Sequence, residues 1–334
     1  MSLPDAPSPI DVLMRLWDAG SDGISLSGSA QALAHLRASG CIIEESPGGD
    51  GGGGRVELQR VGLGCYRDVI EREAQRKSWR LGKSAHVYHR TSSTNDACLR
   101  AARSGINAGH DGFVAVADVQ SAGRGRRGNA WVARGGQSVL LSVLLRVPKV
   151  EGVADRLTLL AGLAAAEAID AVVGAPLAGA GGGGGVQIKW PNDLLIAGRK
   201  FGGILVEGRG DALVVGLGVN VAQNAAEFPA DLRDHATSLY MMTGRQIDRL
   251  RIIVAILGVL DGYFRSALEG GQEEQWIARW KARCPMLGQR IKARDADGLV
   301  AGQVLDVDPL RGLLVRDELG AMRWLAAQTT TLSV

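Results

Sequence analysis

Apolar and polar positions run along this chain in blocks whose period changes several times. Residues 10–18 place apolar side chains at helical spacing between charged ones and predict a short helix. Residues 28–37 repeat that pattern, with Ala30, Leu33, Ala34 and Leu36 on one side and Gly40 as a stop. Residues 41–44 and 55–58 predict two short strands around a Gly/Ser/Pro tract at 46–54. Residues 61–83 are polar, charged and helix-prone, and read as a connector. Residues 95–103 predict a helix with Ser93 or Thr94 as its N-cap. The runs 113–119 and 138–145 are β-branched and apolar, as buried strands are. Residues 155–173 are apolar on nearly all sides and predict a helix buried against a sheet. After a Gly/Ala tract at 174–185, read as a mobile surface excursion, four segments follow with tight turns: 186–190, 194–197, 203–207 and 213–221. That rhythm is an antiparallel meander. Residues 250–268 and 273–283 predict helices, and short strands around 289–293, 299–307, 312–316 and 322–325 predict a small barrel.

A chain of 334 residues exceeds one typical core. The pattern divides it into an N-terminal region 1–60, a linker 61–85, a central domain 86–284 and a C-terminal barrel 285–334. A net charge of +3 with a pI near 8.7 is too mildly basic to make nucleic acid the main partner. Cys41, Cys65, Cys98 and Cys284 are scattered, without a C-x-x-C pair or histidines at metal spacing, and read as reduced thiols. The first residues lack the basic start and apolar stretch of a signal peptide, and no run reaches membrane-spanning length. A soluble, cytoplasmic protein is expected.

Two stretches carry chemistry. Residues 120–131, Q-S-A-G-R-G-R-R-G-N-A-W, interleave Gly123, Gly125 and Gly128 with Arg124, Arg126 and Arg127. Glycine lets backbone approach a ligand closely, and arginine supplies forked donors for phosphate or carboxylate. Residues 189–193, K-W-P-N-D, set Lys189 at the end of an apolar run that Pro191 stops. The glycines also satisfy G-x-G-x-x-G, yet a dinucleotide fingerprint needs a helix opening from the last glycine. Here a second strand follows, so that reading fails on context. A solvated basic loop is the bland alternative.

Set beside T-S-S-T-N-D at 91–96, these stretches resemble the signature of biotin protein ligases. Blocks K-F-G-G-I-L-V-E at 200–207, G-L-G-V-N at 216–220 and A-T-S-L at 236–239 continue it in order, so the resemblance runs from about Tyr88 to about Arg249. It implies an α+β fold with a class II synthetase-like mixed or antiparallel sheet. It also implies a winged-helix-like N-terminal domain and a C-terminal SH3-like barrel. The N-terminal region looks like a degenerate version: residues 20–28 are too short for a further helix, and the second helix offers only His35 and Arg37 to phosphate. Relatives often have an aromatic where this chain has Val139 and Leu140. The C-terminal segment, residues 328–334, lacks a frequent arginine, which puts in doubt a part for the barrel in nucleotide binding.

The resemblance implies ATP-dependent biotinylation of a lysine on a biotin carboxyl carrier protein. Biotin's carboxylate attacks the α-phosphorus of ATP, and the acceptor lysine then attacks the biotinyl-adenylate. Two anions must meet, so fixed cations and a Mg²⁺ ion with ATP are expected to offset their repulsion. Lys189 and Arg126 are the implied catalytic residues. Ser93, Thr94, Asn95, Gln120, Arg124, Gly125, Arg126 and Lys189 are implied for biotin, whose ureido group needs directional partners. Ser93 and Thr94 serve equally well as helix caps. Trp131, Asn192 and Asn220 are implied for ATP, Trp131 by stacking on adenine. No metal ligand follows from the sequence. DNA and a membrane are not expected as partners, and a homodimer is left open. A DNA-binding repressor and a lipoate–protein ligase are the alternatives.

Overall fold

The computed structural model describes residues 7–26, 29–46, 55–104, 111–147, 153–174, 185–269, 272–296 and 298–333. Both glycine-rich tracts noted above fall largely outside that set. The N-terminal unit holds α1 (Pro9–Ala19), β1 (Ile24–Ser25), α2 (Ala30–Ala38), β2 (Ile42–Ser46) and β3 (Arg55–Arg60). Ser8 caps α1 and Pro9 opens it, the preferred residue types for those positions. The strands form an antiparallel sheet in the order β1-β3-β2, and a single 3₁₀ turn, Gly20–Asp22, stands between α1 and β1. In α2, Arg37 pairs with Glu45.

Next come α3 (Tyr66–Arg76), β4 (Ala85–Thr91), α4 (Thr94–Ser104), β5 (Val114–Gln120), β6 (Ser138–Arg146), α5 (Val153–Val173), β7 (Gln187–Lys189), β8 (Asp193–Ile196), β9 (Arg199–Arg209) and β10 (Ala212–Asn220). The seven strands run β4-β5-β6-β10-β9-β8-β7. Only β4 and β5 are parallel, so the sheet is mixed. A short α6 (Leu239–Thr243) precedes α7 (Arg249–Glu269) and α8 (Glu273–Ala282). α5 buries leucines and alanines on every side against the sheet and α7, each leucine contributing about 1.5–3 kcal/mol by leaving water.

The C-terminal strands β11 (Arg290–Asp295), β12 (Gly298–Asp308), β13 (Gly312–Asp317), β14 (Met322–Leu325) and β15 (Thr331–Ser333) pair as β14-β13-β12-β11-β15. Its two end strands do not pair with each other. The expected small barrel is therefore not closed by strand pairing: these strands form an antiparallel sheet with a bulge between Val304 and Asp306.

The polar stretch after β3 is part of the core. Val69, Ile70 and Ala74 form the buried face of α3 together with Glu73, whose carboxylate pairs with Arg76 and Lys77, while the other charged residues of α3 lie towards the outside. Trp79 packs so closely on α7 that a Cβ at Gly258 would lie 2.6 Å from its ring. The Arg80 and Leu81 amides donate to Asp261 Oδ1 at 2.6 and 2.9 Å, satisfying one oxygen of a carboxylate buried in α7, while Arg265 pairs with the other at 2.9 Å. The N-terminal unit shares one continuous buried core with this body, in which Val12, Leu16 and Trp17 belong to the same cluster as Val69 and Ile70. Half-exposed pairs, Arg72–Asp11 and Arg76–Asp18, and Arg251 stacked 4.7 Å from the Trp17 ring add to that contact. Such surface pairs are each worth roughly 0–1 kcal/mol. The linker expected at 61–85 is therefore packed into the central body. Trp79→Ala should cost about 3–5 kcal/mol in denaturant unfolding. A chain starting at residue 61 should still unfold cooperatively, while one starting at residue 82 should not. A cooperative transition in the shorter chain would contradict this packing.

Candidate active site

The basic loop between β5 and β6 folds over one face of the sheet and closes a cavity of about 300 Å³. Its floor is apolar, with Leu140, Ile204, Leu205 and Leu217 from β6, β9 and β10, and Trp190 beside them. Two glycines make that floor accessible. A Cβ on Gly216 would lie 2.2 Å from Asn95 Oδ1, and one on Gly218 would lie 2.6 Å from Trp131 Cε2. Any other residue at these β10 positions would displace the side chains that cover the sheet.

A polar cluster stands at one end of the cavity, where α4 begins. Ser93 Oγ accepts from the Asn95 amide at 3.2 Å, so Ser93 caps α4. Gln120 Oε1 accepts from both the amide and the hydroxyl of Thr94, at 2.7 and 3.0 Å. Ser142 Oγ lies 2.6 Å from Asn95 Oδ1 and 2.7 Å from Thr94 Oγ1, and its single proton serves one at a time. Asn95 Nδ2 donates to Glu207 Oε2 at 2.7 Å and, more weakly, to Leu205 O at 3.4 Å. The Gln120 Nε2 donor has no protein partner among the described residues.

The cations are not equivalent. Arg124 grips Asp96 through two bonds, of 2.6 and 3.1 Å, and reaches Glu207 at 3.2 Å. Arg124 in turn holds the Asp96 carboxyl below the usual carboxylate range, against the opposing effect of burial and with help from the Ser92 hydroxyl. The Arg124 pKa is raised by the same pairing. Since the acid's pKa is depressed, this pair supports the loop in full above the ordinary carboxylate range; its contribution begins to fall below pH about 4 and is lost as pH drops through the lower folded pKa. Arg126 donates to Ala327 O at 2.6 Å, and Arg127 to Gln328 O at 3.4 Å. Burial, followed by the charge of Arg127, lowers the pKa of Arg126, which nonetheless stays a cation at any physiological pH. Lys200 pairs with Asp193 at 2.6 Å. Lys189, at the end of β7, lines the cavity with no ion-pair partner among the described residues.

Of the residues singled out in the sequence, Ser93, Thr94, Asn95, Gln120, Arg124, Gly125, Arg126, Trp131, Lys189 and Asn192 line one cavity. Asn192 Nδ2 is tied to Ile204 O at 2.7 Å. Asn220 is not among the lining residues. It is buried at the end of β10, donates to Thr237 O at 3.2 Å and accepts from Gln223, which fastens the segment before α6. The sequence did not single out Asp96, Ser142 or Glu207, whose roles depend on partners distant along the chain. Nor did it point to the C-terminal segment, where Thr330, Thr331 and Leu332 form part of the wall. Thr330 Oγ1 and Trp131 Nε1 are buried without a hydrogen-bond partner among the described residues. Among those residues, too, no group of three or more His, Cys, Asp or Glu could hold a metal.

A family model described as the biotin/lipoate A/B protein ligase family matches residues 87–224. The chain is 36% identical over 224 residues to a biotin–[acetyl-CoA-carboxylase] ligase of Mycobacterium tuberculosis, covering 66% of this chain and 79% of that one. The chain belongs to the biotin protein ligase family. It is also 32% identical to a bifunctional ligase/repressor BirA of Bacillus spizizenii, a match spanning 65% of each chain. Among family structures, a biotin protein ligase of Aquifex aeolicus in complex with biotin and ATP superposes with a TM-score of 0.62 at 27% identity, covering 75% of this chain and all of that one.

Within this family site, Gly216→Ala tests whether the polar cluster is held as tightly as the contacts imply. The added methyl must push Asn95 away from Ser142 and Glu207, at a cost of about 1–3 kcal/mol. Chemical unfolding reads that loss. A variant as stable as the parent would mean that α4 has slack against β10.

Proposed function

We propose that the chain is an ATP-dependent biotin–protein ligase that forms biotinyl-5′-AMP and transfers biotin to a lysine of a biotin carboxyl carrier protein. The observation that carries this reading is Lys189, a cation without an ion-pair partner among the described residues, in the same cavity as the Ser93–Gln120 polar cluster. Arg124 is already neutralised by two carboxylates and Lys200 by one. Lys189 and Arg126 are left to offset the repulsion between biotin's carboxylate and the α-phosphate and to stabilise charge as the phosphorus is attacked. The apolar floor suits the body of biotin, and Ser93, the Gln120 Nε2 donor and the Thr94 region suit its ureido group.

Trp131, half-buried over Gly218, is positioned to cover adenine, with the partnerless Trp131 Nε1 and Thr330 Oγ1 ready to meet polar groups of the nucleotide. Asn192 lines the same cavity; Asn220 acts by holding the strand end. A Mg²⁺ ion entering with ATP would be carried mainly by phosphate oxygens and water, as Mg²⁺ with a nucleotide commonly is.

The N-terminal unit is winged-helix-like and the C-terminal sheet SH3-like in this reading. Some curated relatives are named as repressors, but α2 here offers only His35 and Arg37, and Arg37 is spent on Glu45. That favours a ligase without DNA binding.

Incubation with ATP, Mg²⁺ and radiolabelled biotin or lipoate tests the proposal directly. Biotinyl-adenylate should form and the lipoyl product should not. Lys189→Ala should abolish adenylate synthesis with an unchanged melting curve, because it removes charge and little core volume. Lys189→Arg should rescue poorly, since a planar fork does not replace a compact ammonium. Near-normal turnover by Lys189→Ala would overturn the assignment.

A further inference from the structure

Away from the cavity, the fold brings together two cysteines that the proposed chemistry does not use. Cys41 follows α2, and Cys65 ends the 3₁₀ turn Leu63–Cys65 that leads into α3. Their sulfurs are 3.8 Å apart, and both residues are buried. The Gly62 amide donates to Cys41 Sγ at 3.3 Å. Gly62 sits so tightly on the 39–41 backbone that an added Cβ would lie 2.0 Å from Ser39 O and 2.8 Å from Cys41 N. Main-chain packing, and not the sulfurs themselves, therefore holds the two segments in register.

We propose that Cys41 and Cys65 are an oxidisable dithiol site, whose oxidant is hydrogen peroxide and whose product is a disulfide joining the N-terminal unit to the start of α3. Bonded sulfurs stand about 2.05 Å apart, so closure needs an approach of about 1.8 Å, within the reach of side-chain rotation. Cys41 is the attacking group. The hydrogen bond from Cys65, aided by the Gly62 amide, lowers its pKa to about 7 against the effect of burial, while that of Cys65 is raised. The Cys41 thiolate attacks one peroxide oxygen: an S–O bond forms, the O–O bond breaks, and hydroxide departs to become water. Cys65 sulfur then attacks the sulfenic sulfur: the S–S bond forms, the S–O bond breaks, and the oxygen leaves with the Cys65 proton as a second water. Two thiols and one peroxide thus give one disulfide and two waters. Burial of both sulfurs favours this small neutral oxidant over a bulky disulfide.

Cys98 and Cys284 serve as internal controls. Neither has a neighbouring thiol among the described residues, and burial raises the pKa of each. The cross-link would close a separation of 24 residues that includes β2 and β3.

The test uses the full chain, treated with hydrogen peroxide, alkylated and digested with trypsin without reductant. Cleavage after Arg55 and Arg60 places the two cysteines on separate peptides. The expected result is a linked Cys41–Cys65 peptide pair that reductant abolishes, with free thiols in denaturant falling from four to two. The oxidised chain should also melt at a higher temperature, reversibly with reductant. In Cys65→Ser, Cys41 should stop at a sulfenic acid that dimedone captures. The parent digest is decisive even if that variant misfolds. Four persisting thiols, linkage of other pairs in equal yield, or overoxidation of Cys41 without linkage would each overturn the proposal.

Discussion

A buried amide dictates the geometry around the cavity. Asn95 sits at the first turn of α4, directly over Gly216 of β10, where water cannot satisfy it. Leaving such a group unpaired costs about 1–3 kcal/mol, so its partners are fixed as firmly as it is. Ser142 on β6 meets its oxygen and Glu207 on β9 meets its nitrogen. The acceptor of the two, Glu207, also takes Arg124 from the loop. One side chain thus sets the distance from helix to sheet, the position of an acidic group and the place where the basic loop lands.

Charge around the cavity is divided with the same economy. The loop carries three arginines, which would repel one another if all faced an unoccupied hollow. Arg124 is held by carboxylates, and Arg126 and Arg127 are turned towards carbonyls of the C-terminal segment. Gln328 also donates to Asp155 at the start of α5, so that segment is anchored on its other side. Lys189 is held in place by strand pairing instead of by a counter-charge.

Much of this was legible in the sequence, for reasons that differ between elements. Runs such as 138–145 and 213–221 are buried on both faces of a central sheet, and continuous hydrophobicity records that. β4 was missed because Ala85–Thr91 is a sheet edge with polar residues such as His86, His89 and Arg90, which a pattern of burial does not mark. The connector misled because α3 has one narrow apolar stripe amid many charges. An open C-terminal sheet and a closed one have the same strand pattern, and only whether the end strands β14 and β15 pair distinguishes them. Ten of the eleven singled-out residues share the cavity because they fall in blocks whose chemistry is local. Asn220 differs: at the end of β10 its amide serves the neighbouring chain. The Asp96 and Glu207 contacts join positions 28 and 83 residues from Arg124, and no local spacing announces such partners.

The hydrogen bonds from Arg126 and Arg127 to Ala327 and Gln328 each span 201 residues of chain. Protein synthesis is vectorial, and upstream domains fold while downstream residues are still being made. The seven-stranded sheet and its polar cluster use only residues up to Asn220, so they can form while the ribosome is still at work. The cavity wall built from Thr330 to Leu332 cannot. The nascent central domain therefore emerges with its basic loop lacking two anchors, and the cavity matures last, when the C-terminal sheet docks.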